Sequence, residues 1–144
     1  MMNDAPAQPI PDGFTLRSEG SSFMDHIGPI YERVLERSVQ LGVRLAPHQL
    51  NPLGTTHGGM LMSLIDVTLG SSAARAMGHE GAVATVQLSC NMIAAARAGE
   101  WIHTEATVEK ITRTLTFISG RILAEDRVLL TATGIFRNPP PPKV

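Results

Sequence analysis

The stretch Asn51-Pro52-Leu53-Gly54-Thr55-Thr56-His57-Gly58-Gly59 leads into an apolar run, Met60 to Met77, whose only charged members are Asp66 and Arg75. A carboxylate inside so apolar a helix is costly to desolvate unless something pairs with it or uses it. The glycines before the helix leave bare backbone N–H groups aimed beyond its first turn, where the helix dipole also favours negative charge. An acid and an anion-stabilising turn on one helix suit a reaction in which an oxyanion develops. Gly58 and Gly59 would donate to that oxygen, unobstructed by side chains. Asp66 would act as general base toward water or attack an acyl carbon as nucleophile, and the residues leave both roles open. Asn51 and His57 would orient the loop or a substrate carbonyl.

Spacing constrains how these groups combine. Nine residues at about 100° each put His57 and Asp66 on opposite sides of an ideal helix, about 13 Å apart along its axis. They cannot meet within one chain. A site that uses both must be completed by a second copy across a two-fold interface.

The elements that would carry them are legible as patterns. Phe23 to Ile27 reads as a short helix between Ser22 and Gly28-Pro29. Ile30 to Leu35 and Val39 to Ala46 read as strands, and the long helix should end near Gly78. An apolar helix without a polar face is expected to be wrapped on every side. In Val83 to Ile93, strict alternation puts Ala84, Val86, Leu88, Cys90 and Met92 on one face and Thr85, Gln87, Ser89 and Asn91 on the other. Trp101 to Ile111, Leu115 to Ala124 and Val128 to Arg137 complete an antiparallel set, with a hairpin turn at Glu125-Asp126. The sum is one long helix beside five or six strands, an α+β arrangement.

Composition removes whole classes of function. At 144 residues the chain is one domain. Its net charge of −1 supplies no basic field for nucleic acid or an anionic membrane surface. Residues 1–13 are polar with three prolines and no apolar core of a signal peptide, and the apolar run is interrupted by Asp66 and Arg75. One cysteine, Cys90, permits no internal disulfide and fits a reducing cytoplasm; it falls on the apolar face of its strand. His57 has no metal-ligand spacing to His48, His79 or His103. Ser63, Ser71 and Ser72 lack the glycine-flanked elbow of a serine hydrolase.

The combination Asn51-x-x-Gly54-x-x-His57-Gly58-Gly59, with Asp66 nine residues after the histidine, resembles the hotdog-fold acyl-CoA thioesterases of the phenylacetic-acid-degradation (PaaI-type) group. The likeness runs from about Gly28 to Arg137, and includes Thr85-Val86-Gln87-Leu88 and the Trp101 to Phe136 meander. It implies an α+β hotdog fold, an antiparallel sheet wrapped around one long central helix, over residues 23–137. Tails would occupy 1–22 and 138–144. It implies a homodimer built edge to edge, pairing again as a homotetramer, with the active site at the dimer interface.

The resemblance also implies roles. Asp66 would be the catalytic acid of one subunit, and Gly58 of the other would bind the thioester oxygen, with Gly59 beside it. Asn51 and His57 would position substrate and water, and Thr85 would hold water near Asp66. Arg113, and more weakly Arg97 and Lys110, would meet the coenzyme A phosphates. The implied reaction is hydrolysis of an acyl-CoA to the free acid and coenzyme A in the cytoplasm, without cofactor or metal. Enoyl-thioester hydration and non-catalytic acyl-CoA binding are the competing chemistries on this fold. The separation of His57 from Asp66 fits hydrolysis better than hydration, and a pure binder has no use for a carboxylate facing a thioester. One departure from the family stands at Met92-Ile93-Ala94-Ala95-Ala96-Arg97, where relatives commonly carry an aromatic and then a proline. The acyl group is not specified by the sequence.

Overall fold

The computed structural model describes residues 8–18, 22–141 and 143. In chain order its elements are β1 (Thr15–Arg17), α1 (Phe23–Ile27), β2 (Ile30–Val34), β3 (Val39–Arg44), a 3₁₀ turn (Pro47–Gln49), α2 (Gly58–Ala76), β4 (Ala84–Met92), β5 (Trp101–Ile111), β6 (Leu115–Ala124) and β7 (Arg127–Arg137). The strands form one antiparallel sheet in the order β1-β2-β3-β5-β6-β7-β4. Helix α2 packs on one face of it, against β3, β5, β6, β7 and β4. The expected hotdog arrangement of sheet around helix is what the chain forms.

Close packing sets the helix position. Leu64, Ile65, Leu69 and Ala73 are fully buried on its sheet-facing side. Beneath them, β6 and β7 carry Gly120 and Gly134. A Cβ at Gly120 would lie 2.7 Å from the Glu105 carbonyl oxygen and 2.7 Å from Leu69 Cδ2. One at Gly134 would lie 3.1 Å from Leu69 Cδ1. The helix rests on a floor that only glycine leaves low enough. Gly78, at φ +69°, ends it in the left-handed conformation common after helix C-termini.

Buried polar groups are satisfied across the same layer. β3 pairs with β5 only from Gly42 to Arg44. Over the unpaired part of β3, the Leu41 N–H donates to Thr104 Oγ1 at 2.8 Å and the Val39 N–H to Ser72 Oγ at 3.0 Å. Thr68 Oγ1 stands 2.8 Å from Thr104 Oγ1. Two hydroxyls on an otherwise apolar contact thus take the β3 N–H groups beyond the β5 pairing, and Thr68 stands against one of them.

Four expectations need correction. The sheet has seven strands; the additional one is β1, three residues with no alternation to reveal it. The expected tail 1–22 is therefore too long: Phe14 packs edge-on against Trp101 at 5.2 Å, and Arg44 donates to the Pro9 carbonyl at 2.9 Å. Residues 1–7 and 19–21 of that expected tail lie outside the described part. The strands β2 and β3 stop short of Leu35 and of Leu45-Ala46, and the turn at Pro47 has no counterpart in the sequence reading. Finally, α2 is not covered on every side, because Met62, Ser63, Asp66, Val67, Gly70 and Ser71 remain exposed or half-exposed.

Replacing Gly120 by alanine sets its Cβ against a backbone carbonyl that cannot yield. The expected loss is about 1–3 kcal/mol of folding stability, read as a lower urea midpoint at unchanged slope.

Candidate active site

Each candidate residue is held by a different local device. Asn51 organises its own loop: its Oδ1 accepts from the N–H groups of Leu53 (2.9 Å) and Thr55 (3.2 Å), and its Nδ2 donates to Thr55 Oγ1 at 2.9 Å. Of the two roles open to it, the chain on its own displays the loop-orienting one. The loop is then tied to the body by the Thr56 N–H on the Ala96 carbonyl and the His57 N–H on the Gln49 carbonyl, both 2.9 Å.

His57 caps α2. Its Nδ1 accepts from the Gly59 N–H at 2.9 Å, meeting one of the orphan donors of the first turn. The two glycines therefore separate. The Gly59 N–H is occupied, whereas the Gly58 N–H has no partner among the described residues. Of the two expected donors, only Gly58 keeps its N–H unengaged among the described residues. Only the Met92 methyl comes near a Cβ built on Gly58, at 3.6 Å.

Asp66 lies half-buried in the middle of α2 and accepts a hydrogen bond from Thr85 Oγ1 at 2.8 Å. Strict alternation puts Thr85 on the outer face of β4, away from the helix. The register shows why it is not there. Thr85 pairs with Phe136 but Gln87 pairs with Ile135, so one residue, Val86, is extra. This β-bulge returns Thr85 to the inner face, which it shares with Leu88 and Cys90. Val86 is pushed outward, 58% exposed. Cys90, expected in the core, is half-buried beside the acid; burial and then the Asp66 carboxylate push its thiol upward, so it stays protonated.

The two halves of the site do not meet. Asp66 and Thr85 open on a groove of about 770 Å³ that also takes in Gly70, Val83 and Phe136. His57 and Gly59 open on a separate pocket of about 370 Å³ with Phe23, Ile27, His48 and Met60. No residue lines both. The helical spacing of His57 and Asp66 requires this.

The basic residues divide the same way. Lys110 and Arg113 belong to the β5–β6 hairpin, whose exit, Leu115, is level with Arg137 and so with Ala84 at the start of β4. That is the end carrying Thr85 and Asp66. Arg97 follows the other end of β4, with its Nη1 4.0 Å from where a Cβ of Gly54 would be. Its N–H donates to Glu100 Oε2 at 2.6 Å, and Glu100 is held below the usual carboxylate range, first by Arg127 and then by that N–H. Among the described residues no cluster of His, Cys, Asp and Glu could hold a metal, and no helix is long and apolar enough to cross a membrane.

Sequence reading missed the groove beyond Asp66. A signal for it existed, since Gly70, Ala74 and Gly78 follow the acid at intervals of four residues.

Residues 53–131 match the thioesterase superfamily. A candidate esterase of Pseudomonas aeruginosa is 30% identical over 131 residues, which cover 90% of this chain and 98% of that protein. A candidate thioesterase from Ralstonia eutropha, related to phenylacetic acid degradation, has a similar structure: TM-score 0.67 at 21% identity, covering 74% of this chain and 83% of its own. The BH2602 protein of Bacillus halodurans, solved with CoA, superposes with TM-score 0.62 at 19% identity over 67% of this chain and 68% of its own. Together with the fold, these likenesses settle the family: the chain is a member of the thioesterase superfamily.

Proposed function

We propose that this protein hydrolyses acyl-CoA thioesters, with Asp66 of one subunit and Gly58 of another acting on the same substrate. Membership of the thioesterase superfamily supports thioester hydrolysis. The Bacillus halodurans relative, solved with CoA, supports coenzyme A as the thiol. The observation that carries the reading is the pairing of Thr85 with Asp66 in one open groove while the free Gly58 N–H stands elsewhere.

The edge strand supplies a way to bring them together. Among the described residues β4 pairs with β7 on one side and with no strand on the other, yet it is nine residues long and carries exposed Val86 and Met92. Such an edge is a template for another strand. Antiparallel pairing of β4 with its own copy about Leu88 sets Ala84 opposite the partner's Met92. Thr85 and Asp66 then face the partner's Gly58, which lies behind that methionine. The same operation brings Lys110 and Arg113 to the partner's Arg97, gathering positive charge for the coenzyme A phosphates. The dimer is the unit this site requires.

In the reaction, the carbonyl oxygen takes the Gly58 N–H, which the dipole of α2 reinforces as charge develops. The Asp66 carboxylate, oriented by Thr85, removes a proton from the attacking water or attacks the acyl carbon itself. In the first route that proton passes to the sulfur as the carbon–sulfur bond breaks. In the second, coenzyme A leaves as the thiolate. Water then hydrolyses the Asp66 acyl anhydride, releasing the acid, regenerating the carboxylate and supplying the thiol's proton. His57 holds the first turn of α2, and Asn51 the loop before it, so that the donor points at the oxygen.

Three measurements test this. Thiol release from acyl-CoAs should fall about 10²–10⁴-fold in Asp66→Asn, as expected for loss of a catalytic base, while acyl-CoA binding persists; equal rates would sink the assignment. Gly58→Ala, which meets only a flexible methyl, should fold normally and lose about 10²-fold in kcat with little change in KM. Chains carrying Asp66→Asn and His57→Ala, inactive alone, should regain about a quarter of wild-type activity after equimolar reassociation, since half the two-fold dimers are mixed and each has one intact site. Verified mixed dimers without activity would refute the shared site.

A further inference from the structure

The groove that begins at Asp66 continues along α2. Asp66, Gly70, Ala74 and Gly78 succeed one another every four residues, and all four line it. Side chains at that interval share one helix face, so the helix presents a line of minimal groups leading away from the carboxylate. Val67 and Val83 flank the near part, Val34 and Val39 the far part. The far pair is fixed there because Ser72 Oγ binds the Val39 backbone and Arg75 donates to the Leu35 carbonyl. Past Ala74 the rim becomes ionic, with Arg17 and Glu32 paired at 3.4 Å beside Arg75 and His79.

Length and lining select the occupant. Eight residues from Asp66 to Ala74 span about 12 Å, the extent of an extended aliphatic chain of about ten carbons. Phe136 is the one aromatic on the lining, and it is 1% exposed, its ring edge tucked 3.1 Å from where a Cβ of Gly70 would be. The groove therefore shows no aromatic face on which a flat acyl ring would stack. An aryl group would also leave the valine-lined half empty. We infer that this groove takes the acyl part of the substrate as an extended, medium-length aliphatic chain, an assignment that rests on the thioesterase reading. The ionic rim sets the length limit, because a longer tail must pass charged groups that its methylenes cannot solvate.

The test is thiol release from butyryl-, octanoyl-, decanoyl-, palmitoyl- and phenylacetyl-CoA. The value of kcat/KM should climb about threefold per added carbon up to decanoyl, stop rising by palmitoyl, and lie about tenfold lower for phenylacetyl than for decanoyl. Val34 is 52% exposed, so Val34→Trp can fill the far half without disturbing the core. It should lower the decanoyl-to-butyryl ratio about tenfold, and Val34→Ile should keep that ratio. Preference for phenylacetyl, or a ratio untouched by the tryptophan, overturns the inference while leaving the hydrolase reading intact. If no thioester is cleaved, affinities for the uncleavable butyl and decyl thioethers of coenzyme A decide. Tighter decyl binding that Val34→Trp abolishes upholds the groove against a failed hydrolase reading, and equal binding refutes it.

Discussion

Everything at the site follows from how α2 is rotated about its axis, and that rotation is fixed by the contact of Leu69 and Ile65 with the glycine floor of β6 and β7. Leu69 Cδ2 lies 2.7 Å from where a Cβ of Gly120 would be, and Ile65 Cδ1 3.1 Å. A side chain at that position would lift the helix, and the buried row Leu64, Ile65, Leu69 and Ala73 would lose its seat. With that row turned to the sheet, Asp66 can only face the open groove. Gly58, at the first turn, is committed to the opposite end. Dense packing on one face of a rod thus dictates chemistry on the other.

Much of this was legible in the sequence, and the reasons are local. The long apolar run between His57 and Gly78 is bounded by a capping side chain and a left-handed glycine, so the extent of α2 follows from its ends. Strands β5, β6 and β7 alternate over ten or eleven residues each and are joined by short turns, which leaves few other arrangements. β1 was not legible, because three residues hold no period and it is attached by pairing with β2, with Phe14 before it seated on Trp101 far along the chain. Nor was the exposure of one face of α2. An apolar sequence reports that a surface avoids water, but not whether protein or substrate covers it.

The bulge in β4 shows most clearly where pattern reading stops. Alternation is a statement about unbroken pleat, and it put Thr85 on the face away from the acid. A single extra residue at Val86 reverses the parity of everything before it. The hydrophobic positions after the bulge, Leu88 and Cys90, stay in place against the core, so the sequence carries no mark of the change. The same insertion bends an edge strand and aims a hydroxyl at a carboxylate.

The side chains around Asp66 leave little choice of reacting group. Ser72 is spent on the Val39 backbone and Thr68 on Leu64 and Thr104, both fully buried. Cys90 is near enough to feel the Asp66 charge, but that charge and its burial both hold it as the thiol, the form that does not attack carbonyl carbon. Ser63 donates to the Gly59 carbonyl on the His57 side of the helix, with no base in the second pocket positioned by an acid. A carboxylate with one oxygen engaged by Thr85 remains on the lining of the groove. A cysteine or serine enzyme must raise a nucleophile from a neutral group. In the proposed reaction a carboxylate takes that place, and the fold sets Asp66 half-buried beside the groove with Thr85 as its hydrogen-bond donor.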